Sequence, residues 1–204
     1  SVAISGDYAI VGAHGNGDNG ENSGSAYIFV RDGDDWTQQA KLTADDGARL
    51  DRFGHSVSIS GNDAIVGAYA DDARSGSAYI FSLEDGEWIQ QAKLTAEDGT
   101  EGDWFGVSVS ISGDYAIVGA NGDDDYAGSA YIFRLEVVQE EEDEEDEEED
   151  EEDEEEDDGE WIQQGKLTAE DGAAGDRFGL SVSITVDGSS LNAIVGAFGD
   201  DNYS

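Results

Sequence analysis

Two short apolar motifs recur along the chain in a fixed order, and this repetition limits the possible folds more than any other feature. AIVGA occupies residues 9–13, 64–68, 116–120 and 193–197, and GSAYIF follows it at 24–29, 76–81 and 128–133. Isoleucine, valine, tyrosine and phenylalanine suit the pleated surface of a sheet, and short apolar runs between Gly, Ser and Asp predict buried β-strands. We therefore expect an all-β repeat protein.

The spacing of the copies defines the repeat unit. Successive GSAYIF motifs begin 52 residues apart, whereas Trp36, Trp88 and Trp161 are separated by 52 and 73 residues. A period near 50 residues with about four strand-like segments is typical of a β-propeller blade. The sequence predicts a partial propeller of about three and a half four-stranded antiparallel blades: blade 1 at 1–52, blade 2 at 53–104, blade 3 at 105–177 and the first half of blade 4 at 178–204.

The strands of one unit are predicted from blade 2. SVSIS, AIVGA, GSAYIF and WIQQAKL follow one another, and Gly61-Asn62 and Asp85-Gly86 mark two tight hairpin turns. In the last strand, simple alternation places Trp88, Gln90, Ala92 and Leu94 on one side and Ile89, Gln91 and Lys93 on the other. This half-polar pattern predicts the outermost strand, and the doubly apolar middle strands require a neighbouring sheet on each side.

The run FGVSVSISGDYAIVGA, with related runs that begin at Phe53 and Phe178, resembles the FG-GAP repeat of integrin α subunits. It is more similar still to the FG-GAP-like repeats of bacterial and algal surface proteins, which also carry GSAYIF and WxQQAKLTA. The resemblance implies a seven-bladed β-propeller in a longer parent chain. It also implies a secreted or cell-surface location and a role in binding or adhesion.

The calcium site of the integrin repeat is not expected here. In integrins that site lies in the loop between the FG strand and the GAP strand, and in three copies of this chain the loop has shrunk to SGDY or SGND. Such a loop is too short to surround an ion that takes 6 to 8 oxygen ligands. The longer loop of the last copy supplies a single carboxylate, Asp187.

A second acidic loop follows each AIVGA motif, and the propeller arrangement would place these loops on one rim. Two interpretations stay open: the aspartates form turns by bonding to their own backbone, or they bind Ca²⁺ weakly. Their spacing does not match the D-x-[DN]-x-[DN]-G calcium loop. The candidate ligands are Asp18, Asp71, Asp72, Asp123, Asp124, Asp125, Asp200 and Asp201.

An acidic tract of 19 residues runs from Glu140 to Asp158. It lies in a 21-residue insertion, 137–157, that accounts for the spacing of 73 instead of 52 and interrupts a hairpin turn. Like-charge repulsion predicts a disordered loop that leaves the sheet register unchanged. The tract is interpreted as a tolerated expansion, with loose calcium capture, binding of a basic protein or contact with a mineral surface as alternatives.

The charge balance narrows the partners. With 50 acidic and 9 basic residues the formal net charge is -41, which argues against binding to nucleic acid or to an anionic membrane surface. No apolar run approaches the ~20 residues of a membrane helix, so no membrane insertion is expected in this segment. Cations and basic proteins are the expected partners.

Positions that depart from the repeat are the best candidates for ligand contact. Trp104 stands before FG where two other copies have Arg52 and Arg177, and Tyr69 follows GA where others have His14, Asn121 or Phe198. We predict that Trp104, Tyr69, Arg52 and Arg177 contact a protein or carbohydrate ligand on the loop rim. The aromatic residues that recur in register, namely Trp36, Trp88, Trp161, Tyr27, Tyr79 and Tyr131, are predicted to be core.

No catalytic arrangement is recognisable. The two histidines occupy non-equivalent positions, cysteine is absent, and the serines repeat with the strands. We expect a non-catalytic binding or adhesion module. The alternatives are a structural repeat segment of a surface protein, an ancillary domain of a secreted enzyme, and an acidic chaperone that binds basic proteins through the tract.

Overall fold

The computed structural model describes residues 1–137 and 159–199, so the acidic tract and its predicted disorder lie outside the described residues. The elements are β1 (Val2–Ser5), β2 (Tyr8–Ala13), β3 (Ser25–Asp32), β4 (Asp35–Leu42), β5 (Ser56–Ser60), β6 (Asp63–Ala68), α1 (Asp71–Arg74), β7 (Ser77–Glu84), β8 (Glu87–Leu94), β9 (Phe105–Ser112), β10 (Tyr115–Ala120), α2 (Asp123–Tyr126), β11 (Ser129–Glu136), β12 (Glu160–Leu167), β13 (Ser181–Asp187) and β14 (Ser190–Gly196). Within the described residues, α1 and α2 are single four-residue turns and all other regular structure is β.

The strands form four antiparallel sheets in sequence order. Strands β1 to β4, β5 to β8 and β9 to β12 each make a four-stranded meander, and β13 pairs with β14. The sheets connect without crossovers because each predicted glycine turn reverses the chain, with φ of 59° at Gly61 and 48° and 89° at Asp85 and Gly86. The predicted fold class, an all-β partial propeller of antiparallel blades, is confirmed.

The sheets lie side by side like the blades of a propeller. The first strands β5, β9 and β13 pack against one another, whereas the fourth strands β4, β8 and β12 of adjacent sheets barely meet. The first strand is therefore innermost and the fourth outermost, as predicted. The core lies between sheets: on β6, Val66 packs toward blade 1 and its neighbour Ile65 toward blade 3, and both are 0% exposed.

Serine hydroxyls join the inner strands of consecutive blades. Ser58 Oγ accepts the Ile111 backbone N–H at 3.2 Å, and Ser110 Oγ accepts the N–H of Ile184 at 3.1 Å. Ser56 Oγ donates to the Gly106 carbonyl oxygen at 2.8 Å. These bonds satisfy backbone groups that no strand pairing reaches, which explains why serine recurs on the inner strand.

Glycine is required where the next blade crosses the end of each GAP strand. A Cβ added to Gly67 would lie 2.0 Å from the Gly106 carbonyl oxygen. Gly106 itself has φ of 84°, and Gly76 forms a parallel bridge with Phe105 at the same crossing. The FG and GAP glycines therefore pack against each other, so consecutive blades approach closely at the ends of their inner strands.

A β-bulge in the fourth strand overturns the predicted alternation. Phe81 pairs with Gln90 and Ile80 pairs with Ala92, so Gln91 is an extra residue without a partner position. One extra residue switches every later side chain to the opposite face, and Lys93 therefore shares a face with Trp88. The same irregularity occurs in β4 and β12.

The aromatic core predictions hold for Tyr79 and Tyr131, whereas Tyr27, Trp88 and Trp161 are half-buried. Tyr79 and Tyr131 are 1% exposed, and Trp88 packs edge-on against Tyr8 of the preceding sheet with ring centroids 5.9 Å apart. The prediction for Trp36 is wrong, because its side chain is 41% exposed. In blades 2 and 3 the fourth-strand tryptophan packs against the core shared with the preceding blade.

Candidate binding site on the loop face

The turns α1 and α2 hold the predicted metal ligands of blades 2 and 3. Their central residues are left-handed, with φ of 45° at Asp72 and 48° at Asp124. Asp71 and Asp123 are each 6% exposed, whereas the side chains of Asp72 and Asp124 face solvent. Each turn therefore buries its first carboxylate and exposes the second.

The buried carboxylate of blade 2 is paired with a lysine. Asp71 Oδ2 lies 2.8 Å from Lys93 Nζ and accepts hydrogen bonds from Ser77 Oγ at 2.7 Å and Tyr79 OH at 3.1 Å. Asp46, from the crossing that follows blade 1, adds a second carboxylate 2.6 Å from Lys93 Nζ and accepts from Tyr79 OH at 2.9 Å. The group therefore links two blades.

The same arrangement recurs at the next interface. Lys166 Nζ lies 2.6 Å from Asp123 Oδ2 and 2.7 Å from Asp98 Oδ2, and Tyr131 OH donates to Asp98 at 2.9 Å. In blade 1, Lys41 pairs with Asp18. The sequence reasoning missed this link, although Asp46 and Asp98 recur 52 residues apart.

The ionisation of this group follows from its contacts. Burial opposes ionisation of Asp46, but the hydrogen bonds from Lys93 and Tyr79 lower its pKa below the ordinary value. Lys166 lowers the pKa of Asp98 in the same way, against the effect of burial. Burial and the nearby Asp71 charge raise the pKa of Tyr79, so its hydroxyl keeps its proton and donates.

These contacts bear on the calcium hypothesis. Among residues 1–137 and 159–199, no group of three or more His, Cys, Asp or Glu side chains is arranged to hold a metal ion. Asp125 projects from α2 into solvent, and Asp200 and Asp201 lie outside the described residues. An ion that used Asp71 or Asp123 would have to displace a lysine, and calcium binding stays a prediction.

The crossings between blades share one local structure. Asp51, Asp103 and Asp176, all at most 7% exposed, accept the backbone N–H of the residue three positions earlier. The residue that follows each has a left-handed backbone, with φ of 61° at Arg52, 59° at Trp104 and 54° at Arg177. This conformation is uncommon for residues other than glycine and asparagine, and the buried aspartate fixes it.

The four predicted ligand contacts lie in one pocket. Arg52, Tyr69, Trp104 and Arg177 line a concave space of about 800 Å³ that extends from the end of blade 1 across blades 2 and 3 to the start of blade 4. The sequence reasoning missed Arg49, Arg74 and His55, which also line it. Each of the three occurs in a single copy of the repeat, which was the available signal.

An aromatic row runs beside this pocket. His55 and Tyr69 have ring centroids 4.6 Å apart, Tyr69 and Trp104 6.4 Å, and Trp104 and Tyr126 5.4 Å, all in edge-to-face geometry. Arg52 lies over the Tyr69 ring at 6.0 Å and Arg177 over the Tyr126 ring at 5.9 Å. The guanidinium groups are therefore held by ring faces.

Three polar atoms at the pocket have no hydrogen-bond partner within the described part of the chain. They are Trp104 Nε1, Asn121 Oδ1 and His55 Nδ1, and all three are buried. Burial, with the nearby charges of His14 and Arg52, lowers the pKa of His55, so its ring is neutral at pH 7. Unpaired buried polar atoms are unfavourable and therefore mark a place that a ligand can complete.

Comparison with known proteins finds one matching family. The model described as FG-GAP repeat matches residues 1–29, 36–81, 88–133 and 161–204. A search of the curated proteins finds no match. Among solved structures, the chain is similar to Saccharomyces cerevisiae Sqt1 with a TM-score of 0.45 and 12% identity, over 83% of this chain and 35% of that one. The described residues contain no helix of the length and apolarity that a membrane span requires.

Proposed function

The chain belongs to the FG-GAP repeat family, and from that premise we propose that it is a non-catalytic binding or adhesion module, secreted or displayed at the cell surface. FG-GAP repeats are typical of extracellular proteins. The ligand, a protein or a carbohydrate, enters the pocket lined by Arg52, Tyr69, Trp104 and Arg177. The blades serve as a rigid scaffold for these loop residues.

One observation carries the proposal: positions that differ between copies converge in space. A residue that is the same in every copy meets a need of the blade itself, such as Gly67 at the crossing or Tyr79 in the core. Tyr69 and Trp104 differ from their counterparts in the other copies, yet both reach the same pocket. Convergence of non-repeated residues at one pocket is expected of a binding site.

The chemistry of the lining supports binding and not catalysis. The described lining residues include no serine, threonine, cysteine or lysine that would act as a nucleophile. The Asp51 carboxylate accepts a hydrogen bond from the Ala48 N–H, and Asp72 Oδ2 lies 3.4 Å from Lys93 Nζ, so both carboxylates already have partners. Besides Glu101, His55, Asn121 and several aliphatic residues, the lining consists of arginines and aromatic residues, the types that dominate ligand contacts.

The test is binding of the chain to a printed array of saccharides and extracellular-matrix proteins. We expect saturable binding that is lost in the double variant Trp104→Ala/Arg177→Gln and kept in Thr37→Ala, which alters the outermost strand of blade 1. Circular dichroism of each variant checks the fold. Absence of saturable binding to every member of the array would reject the proposal in favour of a purely structural repeat segment.

Calcium dependence is the second part of the proposal. Repeating the array at about 1 mM calcium and with chelator tests it, because extracellular modules bind the ion in this range. We propose a weak dependence, since Lys93 and Lys166 already neutralise the buried carboxylates of the rim. Complete loss of binding in chelator would instead assign the aspartates as ligands.

A further inference from the structure

The unpaired groups of the pocket point to a class of ligand. We propose that the pocket lined by Arg52, Arg74 and Arg177 binds a uronic acid unit of an acidic saccharide, with the carboxylate on the guanidinium groups and the ring hydroxyls on the buried polar atoms. This inference rests on the proposed function and specifies its ligand.

The first argument is charge. Four of the six arginines of the chain, Arg49, Arg52, Arg74 and Arg177, line this one pocket. Arg49 pairs with Glu21 at 2.7 Å, but within the described residues the other three have no carboxylate within 4.0 Å. In a chain with 50 acidic residues, guanidinium groups without an internal partner are available to a carboxylate from outside.

The arginines are also held in place for such a contact. Arg52 and Arg177 rest over tyrosine rings, as described above. A cation–π contact leaves guanidinium N–H donors available, and these donors fit the two oxygens of a carboxylate. The left-handed backbone at both residues is fixed by the preceding buried aspartate, so little ordering is required when the ligand binds.

The second argument is the need for hydroxyl groups. Asn121 is 2% exposed, lines the pocket, and has an Oδ1 acceptor without a partner. A carboxylate only accepts hydrogen bonds, so it can satisfy Trp104 Nε1–H but not Asn121 Oδ1. Sugar hydroxyls both donate and accept. A ligand that carries a carboxylate and neighbouring hydroxyls is therefore complementary both to the arginines and to the unpaired atoms of Trp104 and Asn121.

The third argument separates a saccharide from other anions. Tyr69 and Trp104 provide apolar ring surface beside the arginines, which suits the apolar face of a sugar ring. Densely charged polyanions are repelled by a chain with a net charge of -41. An acidic peptide can donate to Asn121 Oδ1 only through its backbone N–H groups, and it carries no hydroxyls beside its carboxylates. Glu101 and Asp72 also line the pocket, and their negative charges disfavour ligands that bring several carboxylates into it.

The experiment is calorimetric titration of the chain with trigalacturonate, with its fully methyl-esterified form, and with tetraglutamate. We expect the free acid to bind at least about tenfold more tightly than the ester, because the charge-assisted bonds to arginine are lost in the ester. Arg52→Gln and Arg177→Gln should each weaken binding about tenfold. The control Arg31→Gln should not, since Arg31 pairs with Asp7 on blade 1.

Asn121→Leu gives a readout that a structural role would not produce. Replacing a buried unpaired amide by an apolar side chain of similar size should leave the melting temperature unchanged or higher. Binding of trigalacturonate should nevertheless fall. Loss of both stability and binding would show that Asn121 serves the fold, and unchanged binding would remove it from the site.

Other outcomes overturn the inference in distinguishable ways. Equal affinity for the acid and the ester would exclude a role for the carboxylate, and tighter binding of tetraglutamate would replace the saccharide by an acidic peptide. No binding of trigalacturonate up to ~10 mM, together with a different saturable ligand on the array, would overturn the inference and leave the proposed function intact. No ligand in either experiment would overturn both.

Discussion

Replacement of Lys93 by methionine tests the link between blades 1 and 2. Met keeps most of the aliphatic stem and removes the ammonium, so Asp71 and Asp46 lose their common partner. The Asp71 side chain is only 8% exposed, and in the variant its charge is supported only by hydrogen bonds from Ser77, Tyr79 and the Asp72 backbone N–H. We expect Lys93→Met to destabilise the chain because a mostly buried carboxylate is left without a counter-charge.

The magnitude follows from the exposure of the two partners. Removal of one member of a fully buried pair costs about 3–5 kcal/mol. The Lys93 side chain is 28% exposed and Asp71 retains three hydrogen bonds, so water and these donors reduce the cost to about 2–3 kcal/mol. The matched control is Lys41→Met in blade 1, whose partner Asp18 is 51% exposed, and there the cost should stay below about 1 kcal/mol.

Urea unfolding followed by tryptophan fluorescence measures both variants. A second test places Asp71→Asn in the Lys93→Met background, where the neutral amide should restore part of the lost free energy of unfolding. A cost for Lys93→Met no larger than that for Lys41→Met would refute the reasoning. So would a double variant that is no more stable than Lys93→Met alone.

Three further predictions concern the blades. Gly67→Ala should lower the free energy of unfolding in urea by about 2 kcal/mol or more, because its Cβ would meet the Gly106 carbonyl oxygen. Gly165→Ala, whose Cβ would have nothing within 4 Å, should be neutral or stabilising by up to about 1 kcal/mol. Equal effects of the two substitutions would contradict the close approach of the blades at Gly67. Because the folded-state pKa of Asp46 is lowered, its contribution is fully present above the unfolded pKa and is lost as pH falls through the folded one. The deficit of Asp46→Asn should therefore be largest near pH 7, begin to shrink as pH falls toward about 4 and vanish only below the lowered folded-state pKa. A deficit that does not change with pH would count against the pairing with Lys93. Deletion of 137–157 should leave a Glu-Asp-Gly-Glu turn like that of blade 2. The free energy of unfolding should then change by no more than about 2 kcal/mol. A larger loss in thermal or urea unfolding would reject the hypothesis that the insertion is tolerated.

Local pattern predicted the sheets well because every segment repeats. The apolar character of AIVGA and GSAYIF on both faces required neighbouring sheets, and the glycine turns required antiparallel hairpins. The fourth strand shows where local pattern fails. Nothing in WIQQAKL marks Gln91 as a bulge, and this one extra residue decides on which face Lys93 lies.

The candidate site shows the same division. Departures from the repeat singled out Arg52, Tyr69, Trp104 and Arg177, and the structure brings all four into one pocket. Arg74 and His55 went unnoticed because a loop residue has no periodicity that indicates its direction. The aspartates of the rim were candidates for metal from composition alone, and the bulge decided that a lysine meets them.

The sequence by itself determined the repeat, the order of the strands and the interfaces between blades, because burial of two apolar faces is a property of each segment and of its copies. Only the tertiary structure decided which charges pair and which loop residues meet. Those outcomes depend on distances between residues far apart in the chain, such as Asp46 and Lys93, and such distances are set by the packing of one blade against the next.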